Sequence, residues 1–219
     1  MHALVQGLIL GVLTGGVYAL MASGQTLIFG IMKVVNLAQG AFVILGAYLS
    51  YQLFTSYAND SWTVLGYQVT VVRFAAFTLS AGALGLLMLL LHRTRFGRAV
   101  RATVQNPESA RLLGVRSGRV AALGFGLGAA TAAAAGSVYG LLYPFNAGSH
   151  YDLISLLLSI VVLGGLGSIG GAIVGALIVS VSSAVVASTI SPAWSQMTFF
   201  VILLAVLLVR PQGLFGRPA

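Results

Sequence analysis

The chain has 219 residues, of which 58% are hydrophobic and only 6% charged, with a net charge of +8. A soluble domain carries about 25% charged residues, and disorder needs low hydrophobicity, so both classes are excluded. The apolar runs are long and unbroken, unlike the residue-by-residue alternation of barrel strands, which leaves an all-α, polytopic transmembrane helix bundle.

A spanning helix takes about 20 mostly apolar residues, so charge-free windows mark the spans. The first span is expected near residues 5–28, and the sequence before it has no basic n-region, which marks a retained span. Lys33 follows, and the second span is expected near 37–56. Asn59, Asp60, Ser61 and Trp62 form a polar break. A third span near 69–92 holds Arg73 in its first turn, where the side chain can reach the interface. Next comes a basic segment, 93–119. A fourth span near 120–142 ends at Tyr143-Pro144. Residues 153–209 carry no charge and are too long for one span. Three fit, near 153–170, 172–190 and 194–209, although the first two can also be one broken or re-entrant element. Seven spans is the literal count, within a range of six to eight, in one transmembrane domain covering 1–219.

Arg93, Arg95, Arg98, Arg101, Arg111, Arg116 and Arg119 all lie in the basic segment, against one acid, Glu108, giving +6 of the chain's +8. A basic excess like this suggests nucleic acid in a soluble protein. Between apolar spans it is the signal of a cytoplasmic loop. With this loop inside, Lys33 and Arg210 also fall inside, and Asp60 and Asp152 outside.

Within the loop, Asn106 can cap a helix, with Pro107 at its first position and Glu108 in its first turn. Gly114 is a suitable stop. Two readings of this capped, basic element remain open: an ordinary loop touching anionic lipid, or a docking element for a cytoplasmic partner.

Gln25, Asn36 and Gln39 are the amides to place on a translocation path. The same residue types also make helix–helix hydrogen bonds in membranes. Gly7, Gly11 and Gly15 repeat every four residues, as do Gly167, Gly171 and Gly175, a spacing that lets helix backbones approach closely. Gly165 to Gly170 spell G-x-G-x-x-G, but no strand precedes them and no acid follows Asp152, so the dinucleotide reading fails. There is no cysteine, and no His/Asp/Glu cluster suggests a metal or a catalytic centre. No cofactor is expected.

Residues 11–48, including Gly15, Tyr18, Gly24, Gly30, Asn36, Gly40 and Gly46, resemble the N-terminal signature of permeases of the branched-chain amino acid ABC transporter family. Phe96, Gly97, Arg98, Arg101, Gln105, Asn106, Ala110, Leu113 and Gly114 resemble that family's cytoplasmic segment. Leu163 to Val179 and Arg210 to Gly216 resemble its C-terminal portion. The resemblance implies an inner-membrane importer subunit in bacteria, without enzymatic activity of its own. Its partners would be a second permease, cytoplasmic ATPases and a periplasmic solute-binding protein, with the helix from Asn106 to Leu113 docking on the ATPase. The family also includes urea and short-chain amide permeases; a stand-alone channel for a small neutral solute is a further alternative. Gln39 stands where many members have His, and Leu37 where many have Phe. Between about Tyr51 and Leu65 the family carries additional membrane segments that this chain lacks, as an internal deletion would produce.

Overall fold

The computed structural model describes residues 2–54, 61–64 and 67–216. The architecture is a helix bundle. Helix α1 spans His2–Met32 and α2 Gln39–Phe54, and α3 runs Val71–Arg93. The basic segment folds as α4 (Arg95–Gln105) and α5 (Pro107–Leu112). Helices α6 (Ser117–Leu142), α7 (Ser149–Gly164), α8 (Ile169–Thr189) and α9 (Pro192–Val209) complete the bundle. Seven of these match the expected spans. Five are long and apolar enough to cross a membrane: α1, α3, α6, α8 and α9. Helices α2 and α7 have 16 residues each, or roughly 24 Å at 1.5 Å per residue, shorter than a hydrocarbon core of about 30 Å.

One element departs from a purely helical expectation. Strands β1 (Ser61–Val64) and β2 (Tyr67–Thr70) pair antiparallel, Ser61 opposite Thr70 and Val64 opposite Tyr67. This hairpin takes the start of the expected third span, so α3 begins at Val71. Of the expected polar break, Ser61 and Trp62 lie in β1, while Asn59 and Asp60 fall outside the described residues.

The glycine-rich stretch separates two helices. Helices α7 and α8 are two antiparallel helices joined by a tight turn, in which Gly165 and Gly167 take φ values of +96° and +85°. Such backbone favours glycine because a side chain would crowd the following carbonyl. Gly167 therefore belongs to the turn, correcting its place in a helical packing stripe. Gly171 and Gly175 do pack as expected, with Gly171 against the carbonyl of Gly164 on α7.

The seam between α1 and α8 is the longest close approach. A Cβ on Gly11 would lie 2.5 Å from the Val181 Cα, and one on Gly7 3.1 Å from the Val185 Cα. Gly15 faces Leu177 and Ser180 in the same way. In lipid no hydrophobic force draws helices together, so contact of this kind supplies the attraction. Helices α2 and α6 are joined by reciprocal hydroxyl bonds: Ser50 Oγ donates to the Ser137 carbonyl at 3.0 Å, and Ser137 Oγ to the Gly46 carbonyl at 3.2 Å. Val17, Leu20, Met21, Val43, Leu157, Ile160 and Ala176 fill the centre.

Two corners of the fold match position for position. Helix α1 turns into α2 through residues 33–38, and α6 into α7 through 143–148. Asn36 Oδ1 accepts from the Ala38 amide at 3.1 Å, and Asn146 Oδ1 from the Gly148 amide at 2.8 Å. Since α1 and α6 run antiparallel, with Gly24 against Gly128 and Ile31 against Gly124, the two corners lie on opposite membrane faces, the pattern of an inverted repeat.

Candidate functional site

The elbow formed by α4 and α5 begins with a tight corner after α3. Thr94 caps α4, accepting from the Gly97 amide at 3.1 Å and donating to the Leu90 carbonyl at 2.6 Å. A Cβ at Gly97 would collide with the Leu91 carbonyl, so the corner requires glycine. Gly97, Val100 and Thr103 are buried, and Val100 packs with Leu27, Leu87, Leu91 and Val120. Helix α4 thus lies with its apolar face on the end of the bundle where α1 and α3 finish. The sequence expectation had only one helix in this segment. The Phe96–Val100–Thr103 spacing carried the signal for α4, hidden among four arginines.

Helix α5 follows the expected outline. Asn106 Oδ1 accepts from the Glu108 and Ser109 amides, both at 3.0 Å. Pro107 occupies the first turn and Glu108 lies beside it. Gly114, at φ +82°, ends the element, and the Val115 amide bonds back to the Ala110 carbonyl at 3.0 Å. Ala110 is the one buried residue of α5. Leu112 and Leu113 are 90% and 83% exposed. These two large apolar side chains form a small exposed apolar patch on a capped turn, next to Arg111. Arg98 is exposed on α4. Arg101 is exposed as well, but its Nη1 donates to the Leu91 carbonyl at 3.0 Å.

The three amides proposed for a path come together in one knot. Gln39 Nε2 donates to the Gly128 carbonyl at 3.2 Å and lies 3.5 Å from that of Met21. Asn36 Nδ2 reaches Gln39 Oε1 at 3.4 Å. The Gln25 amide, oriented to satisfy its neighbours, grips the Asn36 peptide at both ends, 3.1 Å each. Gln25 and Gln39 are 2% and 1% exposed. Their bonding capacity goes into fastening the α1–α2 corner to α6, and none of the three lines the cavities described next.

Two cavities border α1, one midway along it at Thr14 and Tyr18 and one at its C-terminal end; on the topology expected from the arginine loop they are the outer and the inner one. The outer one, about 500 Å³, is lined by Thr14, Tyr18, Tyr139, Tyr143, Asp152, Ser155, Ser180 and Ser195, with apolar walls from α7, α8 and α9. The inner one, about 320 Å³, lies between the end of α1, α4 and the start of α8. The outer cavity went unnoticed in the sequence because its residues come from five separate helices. Among the described residues no group of His, Asp or Glu could hold a metal ion.

A further contact ties the segment after α9 to the end of α7. The Leu214 amide donates to the Leu163 carbonyl at 2.8 Å, and the Phe215 amide to that of Gly164 at 3.1 Å. The segment after α9 thereby satisfies carbonyls that the end of α7 leaves open.

A bundle of apolar helices, five of them long and apolar enough to cross a membrane, is the architecture of a polytopic membrane protein. The model of a family described as branched-chain amino acid transport system / permease component matches residues 54–207, and the chain belongs to that family. It is similar to the high-affinity branched-chain amino acid transport system permease protein LivH of Escherichia coli K12, at 26% identity over 95% of this chain and 94% of that protein. BraD of Pseudomonas aeruginosa, a permease protein of the same description, is 35% identical over 71% of this chain and 50% of its own length. The autoinducer 2 import system permease protein LsrC of Yersinia enterocolitica is 35% identical over 54% of this chain and 35% of its length. No solved structure matches. The LivH alignment extends over 295 positions, more than the 219 residues here, so that relative carries residues opposite gaps in this chain. The expected deletion site, between Tyr51 and Leu65, lies partly outside the described residues.

Proposed function

We propose that this chain is the membrane-spanning subunit of an ATP-driven importer in the bacterial inner membrane, carrying branched-chain amino acids or similar small polar solutes. Its partners are cytoplasmic ATPase subunits, a second permease subunit and a periplasmic solute-binding protein. The observation that carries the reading is the exposed Leu112–Leu113 pair on capped helix α5, set among arginines. It suits a partner that offers an apolar socket with an acidic rim. Arg98, Arg101, Gln105, Pro107 and Glu108 would frame the contact, with Asn106, Ala110 and Gly114 holding its shape.

The elbow is built to transmit force. Helix α5 continues from α4, which is fixed to α3 through Gly97 and packed on α1 and α6. A push on α5 is therefore a push on the inner end of the bundle. The glycine seams of Gly7, Gly11 and Gly15, and of Gly171 and Gly175, would serve as surfaces along which helices shift. The outer cavity supports the solute class: its hydroxyls and the Asp152 carboxylate suit an ammonium group, and its apolar walls an aliphatic side chain.

The test is uptake of labelled leucine by cells expressing the chain with its ATPase, permease and binding-protein partners. The double substitution Leu112→Asp, Leu113→Asp should abolish uptake and co-purification of the ATPase while leaving the chain's thermal midpoint unchanged. ATP-dependent uptake at the wild-type rate would overturn the docking role. Leucine flux through the chain alone in vesicles would overturn the importer reading.

A further inference from the structure

We propose that the inner cavity is a binding site for a phosphate-bearing anion, held at the N-terminus of α8. The donors come from three elements. Helix α8 has 21 residues and is capped by Ser168, whose Oγ accepts from the Gly171 amide at 3.1 Å. The amides of Ile169 and Gly170 have no carbonyl one turn back to bond within the helix, as at every helix start. Both residues line the cavity. The positive end of the helix dipole faces the same region.

The second element is α1. Thr26 is 1% exposed, lines the cavity, and its Oγ1 has no hydrogen-bond partner. Buried hydroxyls are nearly always bonded, and this one is a donor left free beside the cavity. The third is α4 with the corner before it. Arg101 lines the cavity and spends only Nη1, on the Leu91 carbonyl; a guanidinium has five N–H donors. His92 and Gln105 also line the space, and no lining residue is acidic.

A peptide amide pair, a hydroxyl and a guanidinium, arriving from separate elements, call for an acceptor with several oxygens. A phosphoryl group has this character, and the volume of about 320 Å³ leaves room for its substituent. The group can belong to an anionic lipid of the inner leaflet or to a free phosphate compound. Once bound it would tie α1, α4 and α8 together where the elbow meets the bundle. This role stands independently of the importer reading, because binding is measured on the chain alone.

The experiment uses the full chain in nanodiscs of phosphatidylcholine, with thermal midpoint as the readout. One arm titrates inorganic phosphate against chloride at matched ionic strength. The other replaces part of the lipid with phosphatidic acid in steps. A saturable rise of the midpoint in the first arm identifies a free phosphate compound, and one confined to the second identifies a lipid headgroup; either supports the site. Arg101→Gln should weaken the effect roughly tenfold or more, as expected for loss of a charged hydrogen bond. Thr26→Val, which keeps the side-chain shape, should weaken it less. Arg98→Gln, which removes a charge outside the cavity, should leave it intact. No saturable rise in either arm, or equal weakening by Arg98→Gln and Arg101→Gln, would overturn the proposal.

Discussion

Gln39 on α2 donates to the carbonyl of Gly128 on α6 across 3.2 Å, joining residues 89 positions apart. Its side chain is 1% exposed, and the same carbonyl also accepts from the Thr131 hydroxyl of α6 at 2.9 Å. Gln39→Leu should remove this bond between α2 and α6 while the Gly128 oxygen keeps its Thr131 partner, and cost about 1 kcal/mol. A lower thermal midpoint in detergent is the expected outcome. An unchanged midpoint would mean that the knot of Gln25, Asn36 and Gln39 carries no stability.

The α1–α8 seam makes a sharper prediction because it has an internal control. Gly11→Ala puts a methyl 2.5 Å from the Val181 Cα, which is backbone and cannot swing aside. The helices must separate, at a cost of about 1–3 kcal/mol. At Gly82 and Gly85 on α3, an added methyl would meet nothing within 4 Å. Alanine at those sites should leave the midpoint unchanged or slightly raised, since glycine is the poorer helix former. Equal responses at Gly11 and Gly82 would refute close packing as the source of the seam.

Asn106→Ala removes the acceptor for the Glu108 and Ser109 amides. Loss of such a cap costs about 1 kcal/mol, concentrated in a six-residue helix with a single buried side chain. Amide exchange across Pro107–Leu112 should accelerate, while α6 and α8 exchange as before. Uptake should fall in step with the loss of order in α5. Asn106→Asp, which preserves the acceptor, should restore both.

Gly213, at φ +77°, sits where a Cβ would lie 2.4 Å from the Val162 carbonyl. Gly213→Val should drive residues 210–216 off the end of α7. Protease sensitivity near Gly213 should then rise sharply in inside-out vesicles and remain low for the native chain.

The transmembrane pattern was legible because lipid imposes a simple rule: a charge ends a span. Lys33, Arg93 and Arg210 each fall within a residue of a helix end. Helix α5 was legible because Asn106, Pro107, Glu108 and Gly114 act locally, through their own backbones. What escaped was what sequence neighbours do not encode. The Leu214 and Phe215 bonds to α7 use main-chain atoms that every residue possesses. The two matched corners share little beyond Asn36 and Asn146. Spacing placed Gly167 in a helical stripe because a four-residue repeat looks the same whether or not its first member is helical; only its positive φ separates them. The cavities draw on residues more than a hundred positions apart. Gln25 and Gln39 were picked out as polar, but whether a buried amide meets solute or backbone depends on which helix faces it.

The bonds from Leu214 and Phe215 to Leu163 and Gly164 also set an order of events during biosynthesis. Helix α7 leaves the ribosome some fifty codons before the residues that finish its inner end, and α8 and α9 must be inserted in between. Until then, two carbonyls at that end await their partners. These two bonds can therefore form only after α9 has been made.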